Sequence, residues 1–194
     1  MCTGKCSRMI GIILFPLGTC AIICNLLLYF PNGKILEMDQ ITDYVWYFHG
    51  IVGAGLLVFL TAFMTLGAGG EGCCANRCGM LLSVLLSTLG AVGGAYCVVI
   101  SAMGLVKGPL CDPGDGNYIY PFRNDTDEES YLFRQDAWDI CREPQNIVLW
   151  NIVLFSILLG IGGIETLLCA TQVINGLVGF VCGTCLRKRK TGVA

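Results

Sequence analysis

The sequence predicts an all-α membrane protein, a four-transmembrane-helix bundle with a small disulfide-closed extracellular cap. Three observations lead there. Hydrophobic residues fill 55% of the 194 positions and charged residues only 13%, about half of the roughly 25% that a water-facing domain carries. Four apolar runs are each long enough to cross hydrocarbon, which takes about 20 residues at 1.5 Å per residue. Two cysteines, Cys111 and Cys141, fall in the one long polar loop. A net charge of -2 with no basic surface argues against a nucleic-acid partner, and the charge deficit argues against a soluble enzyme.

The first run covers about residues 9–30. Lys5 and Arg8 precede it as they would in a signal peptide, but it ends at Tyr29-Phe30-Pro31 without a small-residue cleavage site, so a retained signal anchor is expected. The second covers 45–66 and the third 80–106, and none of the three contains Asp, Glu, Lys or Arg. The fourth, 148–181, contains one charged residue, Glu165. The third and fourth exceed one bilayer thickness and are expected to tilt or project. The whole chain, 1–194, reads as a single membrane domain.

Four spans put both termini on one side. Lys5, Arg8, Arg77, Arg187, Lys188, Arg189 and Lys190 lie on that side against one acid, Glu71, while the other side carries twelve acids. Basic residues beside span ends mark the cytosol, so the termini and the 67–79 loop are expected there. Residues 31–44 form a short outer loop and 107–147 a long one, whose nine acids and whose aromatics, Trp138 among them, suit a folded cap. Aromatic residues at the outer span ends, Tyr29, Phe30, Tyr44 to Phe48 and Trp150, form the expected interfacial belt.

Topology sorts the thirteen cysteines. Cys111 and Cys141 alone meet an oxidising compartment, so they are predicted to pair, closing a loop that stabilises the cap by about 3 kcal/mol. Cys2, Cys6, Cys73, Cys74, Cys78, Cys182 and Cys185 cluster at the inner span ends, where S-palmitoylation is expected. The spacings Cys2-x3-Cys6, Cys73-Cys74-x3-Cys78 and Cys182-x2-Cys185 also suit zinc, but without an accompanying His, so no metal is assigned; plain reduced thiols are the third reading. Cys20, Cys24, Cys97 and Cys169 lie within spans and pack as small hydrophobes. Asn124-Asp125-Thr126 is a sequon on the polar outer loop, and Asn124 is expected to carry a glycan.

Inside the bilayer Glu165 stands out, because an intramembrane acid is costly enough to mark a function by default. Glu165, Cys169, Gln172, Gly176 and Gly179 recur at spacings of four and three, one stripe facing other helices or a cavity. Thr19, Thr61, Thr65 and Thr88 fall at similar depth, and their hydroxyls are candidates to satisfy the carboxyl. Two readings of Glu165 lead: a neutral side chain locking the bundle, or a contact for a lipid or sterol, with a transport site third. Asn25 lies too far along its span to reach it. His49, the only histidine, is expected to hydrogen-bond at the outer interface, with no catalytic partners nearby. Gly50-x3-Ala54, Gly90-x3-Gly94 and Gly160 to Gly163 permit close helix approach, which bundle packing is expected to explain.

The segments Cys24-Asn25-Leu26-Leu27-Leu28-Tyr29-Phe30-Pro31-Asn32-Gly33, Gly108-Pro109-Leu110-Cys111, Cys141-Arg142-Glu143-Pro144, Trp150 to Ser156 and Gln172-Val173-Ile174-Asn175-Gly176 together resemble the transmembrane 4 L-six family over essentially the whole chain. The resemblance implies a tetraspanin-like architecture, although this outer loop lacks the Cys-Cys-Gly of true tetraspanins. It implies a non-enzymatic organiser at the plasma membrane or endosomal membranes, without cofactor, tied to adhesion, motility and proliferation. Expected partners are membrane lipids, a sterol among them, other membrane proteins such as adhesion receptors, and further copies in a homo-oligomer. The alternative is a lipid- or sterol-binding protein or a small transporter or channel accessory using Glu165. Two departures matter. Gly72-Cys73-Cys74-Ala75-Asn76-Arg77-Cys78 is shorter than the family's usual cysteine cluster, implying fewer acyl chains. Val153 stands where a hydroxyl residue would complete a sequon, so Asn151 is expected to be bare.

Overall fold

A computed structural model of the chain describes residues 3–31, 41–69, 77–122 and 130–182. Helix α1 is Thr3–Leu27, α2 is Val58–Ala68, α3 is Arg77–Lys107 and α4 is Ile147–Cys182. A 3-10 turn, Asp43–Tyr47, and a π-helix, His49–Leu57, continue α2 outward, so its membrane-crossing length is Asp43–Ala68. All four are long and apolar enough to cross a membrane. The described residues are almost entirely helical, their only bridges being the isolated pairs Cys111 with Ile119 and Asp112 with Glu143. The bounds differ from sequence expectation mainly in α1, which starts at Thr3 and gives way to a turn after Leu27.

The helices alternate in direction. The end holding Thr3, Ala68, Arg77 and Cys182 is here the far end; the other is the cap end. Between them small residues let backbones approach: a Cβ added to Gly53 would lie 2.7 Å from the Gly93 carbonyl oxygen, and one added to Gly94 would lie 3.0 Å from that of Gly162. Two buried apolar clusters fill the interior. The cap-end cluster is built on Ala21, Ala54, Cys97, Leu154, Phe155 and Leu158, and the far one on Ile10, Leu14, Val58, Ala62 and Cys169.

Aromatic side chains stitch the cap end together. The Trp150 indole N–H donates to the Leu27 carbonyl at 3.0 Å, the Tyr29 hydroxyl to Val45 at 3.0 Å and the Tyr96 hydroxyl to Tyr47 at 3.0 Å. Each ring's polar group donates to a backbone oxygen where a helix ends or changes winding, and at Leu27 and Val45 that oxygen also accepts a backbone N–H, from Phe30 and Phe48. The cap has its own small core of Cys111, Phe122, Tyr131, Cys141, Ile147 and Val148, closed by the Cys111–Cys141 disulfide with Cα atoms 5.5 Å apart. Tyr131 stacks on Phe122 at 4.4 Å and donates its hydroxyl to the Leu105 carbonyl, which fastens the cap to α3. Burial holds the Tyr131 phenol well above its ordinary range.

Candidate functional site

The polar side chains inside the bundle fall into two sets. At the far end the Gln172 amide donates to Ser7 Oγ at 2.9 Å and to Ser83 Oγ at 3.4 Å. Asn175 Nδ2 donates to Gln172 Oε1 at 3.2 Å and to the Thr3 carbonyl at 3.0 Å. Ser7 in turn donates to the Thr65 carbonyl at 2.9 Å. One network therefore joins α1, α2, α3 and α4, with Ser7, Ser83 and Gln172 fully buried and Asn175 half-buried, and Gln172 is its hub. The sequence singled out Gln172 and Thr65 but missed Asn175, Ser7 and Ser83. Asn175 could have been found: it lies three residues beyond Gln172, on the same helix face.

Glu165 is wholly buried, as the stripe of four and three spacings predicted, and Cys169, Gln172, Gly176 and Gly179 are buried with it. It sits between the two apolar clusters, within electrostatic reach of Cys97 and Cys169. Neither carboxyl oxygen has a hydrogen-bond partner among the described residues.

The hydroxyls expected to serve Glu165 are committed elsewhere. Thr61 donates to Leu57 at 3.1 Å and across to Leu86 on α3 at 2.7 Å, and Thr65 donates to Ala62 at 2.9 Å. Thr19 and Thr88 are exposed and bond their own helices, at Phe15 and Val84. Rotation about the helix axis turns these two away from the bundle interior. The far-end lock is accordingly made by Gln172 rather than Glu165.

His49 departs from expectation as well. It is fully buried, its ring stacked on Phe155 at 5.5 Å and 4°, with both nitrogens unpartnered among the described residues. The cause is local winding. Phe48 takes a left-handed conformation (φ 45°) between the 3-10 turn and the π-helix, and the wide π-turn carries His49 inward where a continuous α-helix was assumed. Asn25 is also buried with both amide atoms unpartnered, and a Cβ added to Gly50 would lie 2.6 Å from its Cβ. Asn151, expected to be bare, is buried at the start of α4.

Of the acylation candidates, Cys6 is half-buried and Cys78 exposed, both free thiols near the far end. Cys2, Cys73, Cys74 and Cys185, and the side chain of Cys182, lie outside the described residues, as does Asn124. No group of three metal-ligating side chains is assembled among the described residues.

At the cap end Tyr120 accepts a hydrogen bond from the Asp43 backbone N–H at 2.9 Å, and Lys107 lies 5.4 Å from the centre of the Tyr44 ring. Burial, foremost among several causes, pushes the Tyr120 phenol up to about 12. On the membrane-facing side, an apolar groove of about 600 Å³ runs between α3 and α4, past Ala95, Val99, Gly160, Gly163 and Leu167. A Cβ added at Gly160 or Gly163 meets nothing within 4 Å, whereas one at Gly90 would lie 2.5 Å from Thr61 Oγ1. Bundle packing accounts for Gly90 and leaves Gly160 and Gly163 unexplained.

A family model described as L6 membrane protein matches residues 1–186. Transmembrane 4 L6 family member 1 of Homo sapiens is 46% identical over 195 residues, covering 95% of this chain and 96% of its own length. Member 4 of Mus musculus is 45% identical, covering 95% and 94%, and member 5 of Bos taurus is 41% identical, covering 97% and 98%. No solved structure matches the chain.

Proposed function

The chain belongs to the L6 membrane protein family, and from that premise we propose that it is a non-enzymatic organiser of the plasma membrane that associates laterally with adhesion receptors. In this reading both termini and the 67–79 loop are cytosolic and the 107–147 loop is the outer cap, carrying a glycan on Asn124. Acyl chains on Cys2, Cys6, Cys73, Cys74, Cys78, Cys182 and Cys185 tune its membrane neighbourhood, since each buried methylene adds about 0.8 kcal/mol to lipid partition.

The observation that carries the proposal is the Gln172 network. It uses polar side chains of α1, α3 and α4 and a backbone carbonyl of α2 to hold the helices to one another, and so leaves the outward faces and the cap as the surfaces offered to other molecules. Isolation of the intact protein from cells in mild detergent tests it. Co-purification of membrane receptors, weakened by unfolding the cap through Cys111→Ser, is expected. Recovery of the protein with lipid alone would contradict it.

A second reading rests on Glu165, whose two buried, unpartnered oxygens suit a hydroxyl donor such as that of a lipid or sterol. Lipid analysis of wild type and Glu165→Leu after identical washing tests it: an unchanged lipid complement removes this reading.

A further inference from the structure

Where two spans reach the cap, four side chains line a polar cavity of about 60 Å³: Asp43 and Tyr44 of the 3-10 turn, Lys107 at the end of α3, and Tyr120 of the cap. A single water fills roughly 10–15 Å³ of such space, so the cavity suits a polar group several times larger. Its walls carry one carboxylate and one ammonium. Although Asp43 and Lys107 line the same small space, they form no ion pair with each other among the described residues.

Both charges are positioned by neighbours. Lys107 Nζ lies 5.4 Å from the centre of the Tyr44 ring, a contact that holds a cation over a π face without supplying a counter-charge. The Asp43 backbone N–H donates to the Tyr120 hydroxyl at 2.9 Å, which ties the turn to the cap and brings the Asp43 carboxylate within electrostatic reach of that phenol. Lys107 and the two tyrosines are half-buried and Asp43 is exposed, so the site can be reached from outside.

Depth and charge order together select the ligand. Asp43 begins the second membrane-crossing length and Lys107 ends the third, so the cavity lies where helices leave hydrocarbon and lipid headgroups begin. A phosphatidylcholine or phosphatidylethanolamine headgroup carries an anionic phosphate beside the hydrocarbon and a cationic amine beyond it. The cavity offers the complementary pair in the same order: Lys107 is continuous with a span, and Asp43 is bonded to the cap. Below Lys107, α3 exposes Val106, Met103 and Val99, an apolar face along which an acyl chain can lie. A simple anion would be repelled by Asp43 and a simple cation by Lys107, whereas a zwitterion satisfies both.

We infer that this cavity binds the headgroup of one zwitterionic phospholipid, with Lys107 at the phosphate and the Asp43 carboxylate and Tyr120 ring at the amine. The site depends neither on Glu165 nor on which receptor the protein organises.

The test uses the full chain purified in detergent, with lipids of identical acyl chains added in turn and bound copies counted by native mass spectrometry. The probes are phosphatidylcholine, phosphatidylglycerol, which keeps the phosphate without the amine, and a diacyl trimethylammonium lipid, which keeps the amine without the phosphate. One phosphatidylcholine should be retained about tenfold more tightly than either singly charged lipid. Lys107→Gln and Asp43→Asn preserve side-chain size and the Asp43 backbone N–H, and each should weaken phosphatidylcholine about tenfold and erase the preference. Free phosphocholine carries the same charges without chains and should bind at least about tenfold more weakly than the lipid. Wild-type retention of either singly charged lipid equal to or above that of phosphatidylcholine overturns the proposal, as does an unchanged preference in both variants. Free phosphocholine binding as tightly as the lipid overturns the assignment to a membrane ligand. The wild-type comparison decides even where a variant does not fold.

Discussion

The far and cap-end halves of the bundle bury similar polar side chains and treat most of them oppositely, the buried Thr3 hydroxyl at the far end being without a partner among the described residues. Around Gln172, amides and hydroxyls donate and accept across four helices. Toward the cap from there, Glu165 at the middle of α4 and Asn25 and His49 nearer the cap are just as buried and have no hydrogen-bond partner among the described residues, and α2 loosens into a π-helix at His49. An unmatched polar group in a low-dielectric interior lowers stability by about 1–3 kcal/mol. Burial of a polar residue therefore does not by itself make a lock. The far half is held from inside, and the cap half by what surrounds it: the aromatic bonds to helix-end carbonyls and the disulfide-closed cap, while tight glycine contacts serve both.

If the cap half depends on that outer frame, opening the disulfide should be the largest perturbation. Cys141→Ser is expected to lose about 3 kcal/mol of cap stability, seen as rapid proteolysis within 107–147 while the far half stays protected; equal proteolysis in both halves would break the comparison. Gly93→Ala comes next. Its new methyl meets the Gly53 carbonyl oxygen at 2.6 Å, so a backbone must move, and a loss of about 2 kcal/mol is expected in detergent unfolding. His49→Leu should sharpen the contrast with opposite sign. It keeps an apolar contact with Phe155 and removes two unpartnered nitrogens, so stability should hold or rise by up to about 1 kcal/mol; a clear loss would mean His49 has a hydrogen-bonded role.

The smallest effect concerns pH. Tyr120, outside the spans, is pushed up to about 12, so the fold favours its neutral form. Its contribution is complete below the ordinary tyrosine range near 10 and fades as pH rises toward about 12. Tyr120→Phe should flatten cap stability across that window, measured by tryptophan fluorescence of Trp138.

Much of this was legible in sequence because the bilayer imposes simple rules. Run length and absent charge located four spans, loop position paired Cys111 with Cys141, and the spacing from Glu165 to Gly179 identified a buried face. What failed needed rotation or winding. Thr19 and Thr88 were chosen by depth and point outward, since depth leaves the azimuth of a helix undetermined. His49 was misplaced because no residue pattern announced the π-turn that carries it inward. The Gln172 network required knowing that Ser7, Ser83 and Asn175, distant in sequence, converge at one end, and Gly160 and Gly163 looked like ordinary bundle glycines until their neighbours were seen to be absent.

The contrast between the halves is tested most directly by unfolding free energies of wild type, Gln172→Leu and Glu165→Leu in the same bicelles. Gln172→Leu removes the bonds that link Ser7, Ser83 and Asn175 to one another through the hub, leaving each only its bond to a backbone carbonyl, at Thr65, Met80 and Thr3. It is expected to lose about 1–2 kcal/mol, the upper range for interhelical polar contacts in bilayers. Glu165→Leu removes a carboxyl with no hydrogen-bond partner and should leave stability unchanged or raise it by up to about 1 kcal/mol. A larger loss for Glu165→Leu than for Gln172→Leu would contradict the account.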